Sequence, residues 1–449
     1  MFSYRYIILG FSFFLCSSLM AQTTQWRDIY KAKSKDTLYG IARNYGITLE
    51  QLLSANPEMG VSGYELKKGT FVFIPFVKTE SATAPVNVGK NDNATTTNAK
   101  AIKVGIMLPL HDNDGDGRRM VEYYRGFLLA CDSLKKQNIS IDITALNVPI
   151  NADLKNLLST PKLKQCDIIY GPLYTHQVKM LGDFCLQNDI KLVIPFSINS
   201  DAVTKNKNVC QVYQTVDDIN NLSIESFVQL FRNHHPVFVD CNDLTSKKGI
   251  FTMALRNKLE SLGIQYNITN INSDEAAFMK AFSRTKPNVV ILNTSRSPEL
   301  GIVLAKLNGL VVDYPAVNVS LFGYTEWLMY TRNNLDNFFK FNTYIPTTFY
   351  YNPLSVKTKA IEAQYNRWFQ VGMQYNLPRF ALTGYDHAQF FLSRVAKYGK
   401  KFSGSKNEIN YQSVQTPLNF KRLNKGGMQN NSFMLVHYTP QGRIELVNN

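Results

Sequence analysis

Short apolar runs alternate with stretches of helical periodicity over most of the chain after residue 101. Continuous apolar runs at 103–109, 191–195 and 288–292 are typical of strands buried on both faces of a parallel sheet. Between such runs, apolar positions recur at helical spacing, as in 175–188. This alternation predicts repeated βαβ units and therefore parallel sheets.

The βαβ pattern runs in two successive series, and the second series begins near Asp217. Two series of similar size predict two lobes with a cleft between them. Ligands of parallel sheets bind beyond the carboxyl ends of the strands. The segments that follow the predicted strands, and that we expect to meet at the cleft, are 111–119, 171–176, 196–199, 293–296 and 324–327.

Two further expectations concern helix starts. A polar loop follows the first strand of the large block, and the periodicity predicts a helix only from 121 to 136. Near the C-terminus, Asp386 precedes His387 and has the character of a cap, which predicts that a helix begins there.

Residues 26–76 form a separate block, in which a strand, two short helices and a closing strand follow one another. The stretch 78–100 has no aromatic residue and no amphipathic period, which predicts a flexible linker over 77–100. The predicted fold class is therefore α/β: a small βααβ module, a linker, and a two-lobed body with parallel sheets over 101–449.

The small block resembles the LysM domain. The matching positions are Tyr30, Asp36, Thr37, Leu38, Ile41, Ala42, Tyr45, Gly46, Leu49, Leu52, Asn56, Pro57, Leu66, Lys67, Lys68, Gly69, Ile74 and Pro75. The resemblance implies binding of N-acetylglucosamine-containing glycans, chiefly peptidoglycan, in a groove between the loop before the first helix and the loop after the second. The glycan-binding residues it implies are Asp36, Thr37, Leu38, Tyr39, Asn56, Pro57 and Glu58.

A purely structural interpretation of the same residues stays open. Asp36 and Thr37 also fit as helix caps. Leu38 also fits as a core residue, and Asn56 as a helix stop.

The large block resembles the type I periplasmic binding fold, in its branched-chain amino-acid-binding branch. The resemblance is carried by 103–109, by 124–127 with Ala130, by 170–172, 193–197 and 289–292, by Pro298 with Glu299, and by 322–326. It implies that Thr175, Ser197 and Asn199 hold a ligand from the first lobe. From the second lobe, Arg296 and Glu326 take the positions of an aromatic and an acidic residue.

The charge of Arg296 disfavours an aliphatic amino acid and suits a carboxylate or phosphate. The alternative is that these polar residues are loop caps and salt-bridge partners. The same fold occurs in an outer-membrane activator of peptidoglycan synthases, and the combination with a LysM domain resembles exported proteins of Bacteroidetes.

The first residues predict export. Arg5 is followed by an apolar run over 7–15 and by small residues up to Ala21, the pattern of a signal peptide over 1–21. The run is too short for a permanent bilayer span, which needs about 20 residues. Leu15 before Cys16 is too bulky for a lipid-attachment motif, which argues against a lipoprotein. The expected location is the periplasm.

The chain is basic, with 49 Lys and Arg against 34 Asp and Glu, a formal net charge of +15. Scattered basic residues and export argue against a nucleic acid partner. Peptidoglycan carries stem-peptide carboxylates and is the expected anionic partner. A small polar or anionic ligand and a cell-wall synthesis protein are the other expected partners.

No motif supports catalysis or a cofactor. Asp112, Asp114 and Asp116 with Gly117 match half of a calcium loop, but Tyr123 stands where the last ligand should be Glu. Nucleophile-elbow, metalloprotease and phosphate-loop motifs are absent from the sequence. We therefore expect no metal and a non-enzymatic binding protein. The alternatives are a ligand-free interaction protein that regulates peptidoglycan synthesis and, less favoured, a cell-wall hydrolase.

Overall fold

The computed structural model describes residues 26–60, 64–75, 101–196 and 201–448. The predicted signal peptide and the whole of the predicted linker lie outside these ranges, and so do Ser197 and Asn199. None of the helices in the described part of the chain combines the length and apolar character that a bilayer crossing requires.

The N-terminal module confirms the βααβ order. Its elements are β1 (Trp26–Lys31), α1 (Leu38–Asn44), α2 (Leu49–Ala55), a 3-10 turn (Pro57–Gly60) and β2 (Phe71–Pro75). The two strands pair antiparallel. Thr37 caps α1 by accepting a hydrogen bond from the Gly40 N–H at 3.0 Å. Thr48 forms a capping box with Gln51 at the start of α2.

Lobe 1 is built on a seven-stranded sheet of order β13-β14-β7-β6-β5-β3-β4, parallel except for β13. Its first elements are β3 (Ile102–Leu108), α3 (Gly115–Lys135), β4 (Ile141–Asn147), α4 (Leu154–Leu158), α5 (Pro161–Lys164), β5 (Ile168–Tyr170), α6 (Thr175–Gln187), β6 (Lys191–Ile194), α7 (Ala202–Lys205) and β7 (Val209–Gln211).

Lobe 2 carries a four-stranded parallel sheet of order β11-β10-β8-β9. Its elements are α8 (Val216–Phe231), β8 (His235–Asp240), α9 (Lys248–Ser261), β9 (Asn267–Asn270), α10 (Glu275–Met279), β10 (Asn288–Leu292), α11 (Ser297–Asp313), β11 (Val319–Leu321), a 3-10 helix (Thr325–Tyr330), α12 (Thr331–Lys340) and β12 (Thr343–Thr347).

The chain then returns to lobe 1 and ends in lobe 2. The remaining elements are α13 (Val356–Phe369), α14 (Phe380–Tyr398), a 3-10 turn (Gly399–Lys401), β13 (Phe420–Arg422), β14 (Met428–Asn430), β15 (Met434–Tyr438) and β16 (Ile444–Asn448). Strands β12, β15 and β16 form an antiparallel sheet. A bridge between Phe322 and Tyr344 joins it to the parallel sheet of lobe 2. The predicted two-lobed α/β architecture is confirmed.

Three chain crossings connect the lobes: between β7 and α8, between β12 and α13, and between β14 and β15. The first and third are tied together, since the Gln214 Nε2 donates to the Ser432 carbonyl at 2.6 Å. The second is tied to lobe 1, since the Tyr350 N–H donates to the Gln415 carbonyl at 2.9 Å. These crossings are the hinge of the body.

Helices α3 and α14 cross in contact over a glycine on each side. A Cβ atom added to Gly126 would lie 1.7 Å from the Ala381 carbonyl oxygen, and one added to Gly384 would lie 2.0 Å from the Tyr123 carbonyl oxygen. Only glycine therefore permits this spacing of the two helices. The crossing forms much of the lobe 1 core.

The predicted helix start at His387 is wrong. Helix α14 begins at Phe380, and Asp386 and His387 lie fully buried inside it. The Asp386 carboxylate accepts hydrogen bonds from the Tyr411 hydroxyl and from the N–H groups of Val414, Gln415 and Thr416. Asp386 thus holds the segment 411–416 against the helix rather than capping it.

His387 predicts an acid sensitivity of the fold. Burial lowers the pKa of His387 to about 3, against about 6.5 in an unfolded chain. Because the folded state disfavours the charged imidazole, stability present above about pH 6.5 is lost as the pH falls towards 3. We expect His387→Gln to lack this loss, which is on the order of 4 kcal/mol.

Urea unfolding of both proteins between pH 7.5 and 4 measures the difference. Glu122 acts in the opposite direction, because burial raises the pKa of Glu122 to about 7, so its contribution falls as the pH rises from about 4.5 to 7. The comparison with His387→Gln cancels that effect. An equal loss of stability in the two proteins would contradict the role of His387.

Candidate functional site

The loop between β1 and α1, together with the first turn of α1, forms the exposed side of the predicted glycan groove. Tyr39 is 66% exposed, Thr37 is exposed and Leu38 is half-buried against the module core. The Asp36 carboxylate accepts from the Lys33 N–H at 2.6 Å and from the Tyr30 hydroxyl at 2.8 Å. These two hydrogen bonds, the Lys33 one first, lower the pKa of Asp36. Asp36 and Thr37 therefore shape the loop, and Tyr39 presents a free ring face.

On the other side of the predicted groove, Asn56 is a structural residue. It is fully buried. Its Nδ2 donates to the carbonyls of Leu52 and Phe73, and its Oδ1 accepts from the Phe73 N–H, all at 2.8 Å. Both amide hydrogens are used inside the module, so the helix-stop interpretation accounts for Asn56. Pro57 and Glu58 follow in the 3-10 turn, and their side chains lie outside the described part of the chain.

The module packs directly on lobe 1, a contact that no sequence pattern indicates. The rings of Phe73 and Tyr124 meet edge to face, with centroids 6.0 Å apart. Phe71 and Phe73 belong to the same buried cluster as the lobe 1 core. Lys31 of β1 forms an ion pair with Asp112 in the loop after β3. The module is thus seated on α3 and the neighbouring loop.

Each aspartate of the half calcium motif already interacts with another residue of the protein. Asp112 pairs with Lys31, and Asp116 pairs with Arg119. Asp114 caps α3, accepting from the Gly117 N–H at 2.7 Å. Across the described ranges, no group of three or more His, Cys, Asp or Glu side chains is placed to hold a metal ion.

Of the three lobe 1 residues predicted to hold a ligand, Thr175 is described: it is exposed and begins α6. Ser197 and Asn199 lie outside the described residues. The loop that should carry most of the lobe 1 contacts is therefore known only as a prediction.

On lobe 2, the two charged cleft residues are already paired. The Arg296 guanidinium lies 3.5 Å from Glu299 and 3.8 Å from Asp243. Glu326 lies 2.8 Å from the Lys248 ammonium. Both pairs stay within lobe 2, so each charge is balanced by a neighbour of its own lobe. This geometry matches the salt-bridge alternative for these residues.

The cysteines of the described chain are not nucleophiles. The free cysteines Cys131, Cys166, Cys185, Cys210 and Cys241 are all buried. Burial raises the pKa of the Cys166, Cys210 and Cys241 thiols to about 12. A thiol with so high a pKa stays protonated and unreactive near neutral pH.

Sequence analysis missed a large groove beside the hinge. It lies between α12, the β15–β16 hairpin and the lobe 1 segments 349–354 and 375–379, with a volume of about 660 Å³. The one sequence signal that could have indicated it is the aromatic run Phe349-Tyr350-Tyr351, since such a run outside a buried strand often marks a binding surface.

Comparison with known proteins identifies both parts of the chain. Residues 30–75 match the LysM domain. A putative branched-chain amino acid ABC transporter protein from Rhodospirillum rubrum has a similar fold, with a TM-score of 0.53 at 14% identity, over 78% of this chain and 100% of that one. Comparison with curated proteins finds no match.

Two weaker structural similarities have TM-scores below 0.5. A substrate-binding protein from Desulfitobacterium hafniense in complex with Leu gives 0.42 at 14% identity, over 78% of this chain and 100% of that one. Haemophilus influenzae LpoA gives 0.49 at 15% identity, over 78% of this chain and 59% of that one. The LysM match and the similarity to the Rhodospirillum rubrum protein confirm the LysM domain and the periplasmic binding protein type I-like fold. The resemblance to Bacteroidetes proteins stays a prediction.

Proposed function

We propose that this protein is an exported, non-enzymatic, peptidoglycan-binding protein of the periplasm. Its LysM domain holds it to the cell wall, and its two-lobed body binds a small polar ligand or a protein partner. The observation that carries the proposal is the LysM match over 30–75 together with an accessible β1–α1 loop. The net charge of +15 supports it, because a basic protein concentrates near an anionic polymer.

The second candidate is an interaction protein that keeps the binding fold without a cleft ligand and regulates peptidoglycan synthesis. The pairing of Arg296 with Asp243 and Glu299, and of Glu326 with Lys248, favours it. Breaking either pair to hold a ligand would cost the interaction already made. A thermal-shift screen with amino acids and muropeptides separates the two, since a shift supports a receptor and no shift supports an interaction protein.

The non-enzymatic assignment has its own test. Purified protein is incubated with labelled peptidoglycan, and the soluble products are counted. We expect no release above the background of a heat-inactivated sample. Release that scales with protein concentration would establish the hydrolase alternative instead.

The exposed ring of Tyr39 gives the LysM assignment a sharp test. We expect Tyr39→Ala to weaken binding to purified sacculi about tenfold, because truncating an aromatic contact residue costs about 1–2 kcal/mol. Tyr314→Ala, which removes a partly exposed tyrosine of lobe 2, is the matched control and should bind as the parent does.

Pelleting at increasing sacculus concentration measures the midpoint of binding, and circular dichroism verifies that each variant is folded. If Tyr39→Ala pelleted with the same midpoint as Tyr314→Ala, the first turn of α1 would not be part of the glycan site.

A further inference from the structure

The groove beside the hinge is not lined by the predicted cleft residues Thr175, Arg296 and Glu326. Helix α12 forms one wall, the β15–β16 hairpin forms the floor, and segments 349–354 and 375–379 of lobe 1 close the top. Among the described residues, those in the loops after β3, β5, β6, β8 and β10 do not line it, whereas Leu328 and Met329 of the 3-10 helix after β11 do. Its volume of about 660 Å³ lies in the range of small-molecule sites, and such sites favour the junction of two domains.

Most of the groove surface is apolar. Leu335 and Phe339 of α12 face it from one side, and Ile444 and Leu446 of β16 from the other. Ile444 and Leu446 are 40% and 45% exposed. Covering these side chains would remove apolar area from water, which stabilises a complex by roughly 25 cal/mol per Å².

The charged residues that line the groove are Arg332 and Arg379, both positive. The Arg379 side chain lies between the rings of Tyr351 and Tyr375, 4.8 and 4.9 Å from their centroids. Arg379 is only 9% exposed, its Nη1 donates to the Gln374 carbonyl at 2.5 Å, and its buried Nε has no hydrogen-bond partner among the described residues. A guanidinium held between two aromatic rings in the wall of an apolar groove favours an anionic partner.

The protein itself balances Arg379 only in part. Within the described chain, no carboxylate lies within ion-pair distance of this guanidinium. The neighbouring carboxyl is Glu122, and burial raises the pKa of Glu122 to about 7. Near neutral pH that carboxyl is therefore only partly ionised. An anion in the groove would meet the partly balanced charge of Arg379 and, at the rim, Arg332. The largely apolar lining favours a carboxylate, which carries one charge, over a phosphate dianion.

We propose that this groove binds an amphipathic carboxylate: a molecule with an apolar body and one terminal carboxylate. The apolar body lies between α12 and β16, and the carboxylate reaches Arg379 with Arg332 at the rim. Because both lobes contribute walls, the ligand bridges them beside the hinge. This site is independent of glycan binding, and its test contains no peptidoglycan.

Two sources carry this chemistry: a fatty acid and the C-terminus of a short apolar peptide. Calorimetric titration of the full chain with decanoate and with N-acetyl-leucyl-phenylalanine represents them, and the peptide amide is the uncharged control. We expect at least one of the two acids to bind and the amide to bind at least tenfold more weakly. Binding of decanoate alone identifies the fatty acid, and binding of the peptide alone identifies the peptide.

Variants locate the binding. Arg379→Met should weaken it at least tenfold. Because that change could disturb folding, Ile444→Glu provides a second test: it places a repelling carboxylate on a half-exposed position of the floor. Its control is Ile302→Glu on α11, where the isoleucine is 50% exposed and outside the groove. The proposal is overturned if neither acid binds, if the amide binds equally well, or if the two glutamate variants bind alike.

Discussion

Replacing Gly126 with alanine should destabilise the protein by about 3 kcal/mol or more. The new methyl group would lie 1.7 Å from the Ala381 carbonyl oxygen. Because that oxygen belongs to the backbone of α14, a change of side-chain rotamer cannot relieve the clash. Helix α14 would have to move away from α3, and the tightly packed core between them would open. The small gain in helix propensity, at most about 1 kcal/mol, cannot offset this clash.

A matched glycine in lobe 2 isolates the clash. Gly309 lies inside α11, and a Cβ atom added there would meet nothing within 4 Å. We therefore expect Gly309→Ala to leave the free energy of unfolding unchanged or to raise it by up to about 1 kcal/mol. Urea unfolding followed by near-ultraviolet circular dichroism measures both. Equal midpoints for the two variants would show that α3 and α14 are not packed at this distance.

Asp386→Ala should cost about 3–5 kcal/mol, because it leaves four donors without their acceptor. The Tyr411 hydroxyl lies 2.6 Å from the carboxylate, and the N–H groups of Val414, Gln415 and Thr416 lie at 2.7 to 2.8 Å. Burial raises the pKa of Asp386, and these hydrogen bonds act against that rise.

The expected damage reaches the hinge. Gln415 also accepts from the Tyr350 N–H of the second crossing, so release of 411–416 should loosen that crossing. Asp183→Ala is the control, since Asp183 is exposed, pairs with Lys179 and should cost under about 1 kcal/mol. Equilibrium unfolding gives the free energies, and limited proteolysis followed by mass spectrometry locates new cleavage. Protection of 411–416 in a folded Asp386→Ala protein would contradict the anchoring role.

The order of helices and strands could be predicted from the sequence wherever buried positions form a regular apolar pattern. Buried strands such as β3 and β10 are continuous apolar runs, and the LysM positions recur at fixed spacings, so both domains were recognisable. The start of α3 was not, because 115–117 is Gly-Asp-Gly and resembles a loop. In the structure, Asp114 caps the helix and the glycines enter its first turn, so that α3 begins six residues before the periodicity does.

Buried polar residues are the second limit on prediction from sequence, because a polar residue is normally expected on the protein surface. Asp386 and Asn56 are both fully buried, and each is kept there by partners distant in sequence. The cleft residues show the same limit. The strand-end rule located Arg296 and Glu326, but their partners Asp243 and Lys248 come from another loop and another helix. Only the folded chain brings such partners together.

The seat of the LysM domain on lobe 1 determines which part of the molecule can move against a fixed wall. Phe73 on Tyr124 and Lys31 on Asp112 join the domain to lobe 1, while lobe 2 is attached through the three hinge crossings. If the protein binds the sacculus as proposed, lobe 1 is held with it, and any opening or closing of the body is a movement of lobe 2. Tension along a glycan strand would then act on α3 and not on the hinge. Wall stress and ligand closure would therefore act on different parts of the protein.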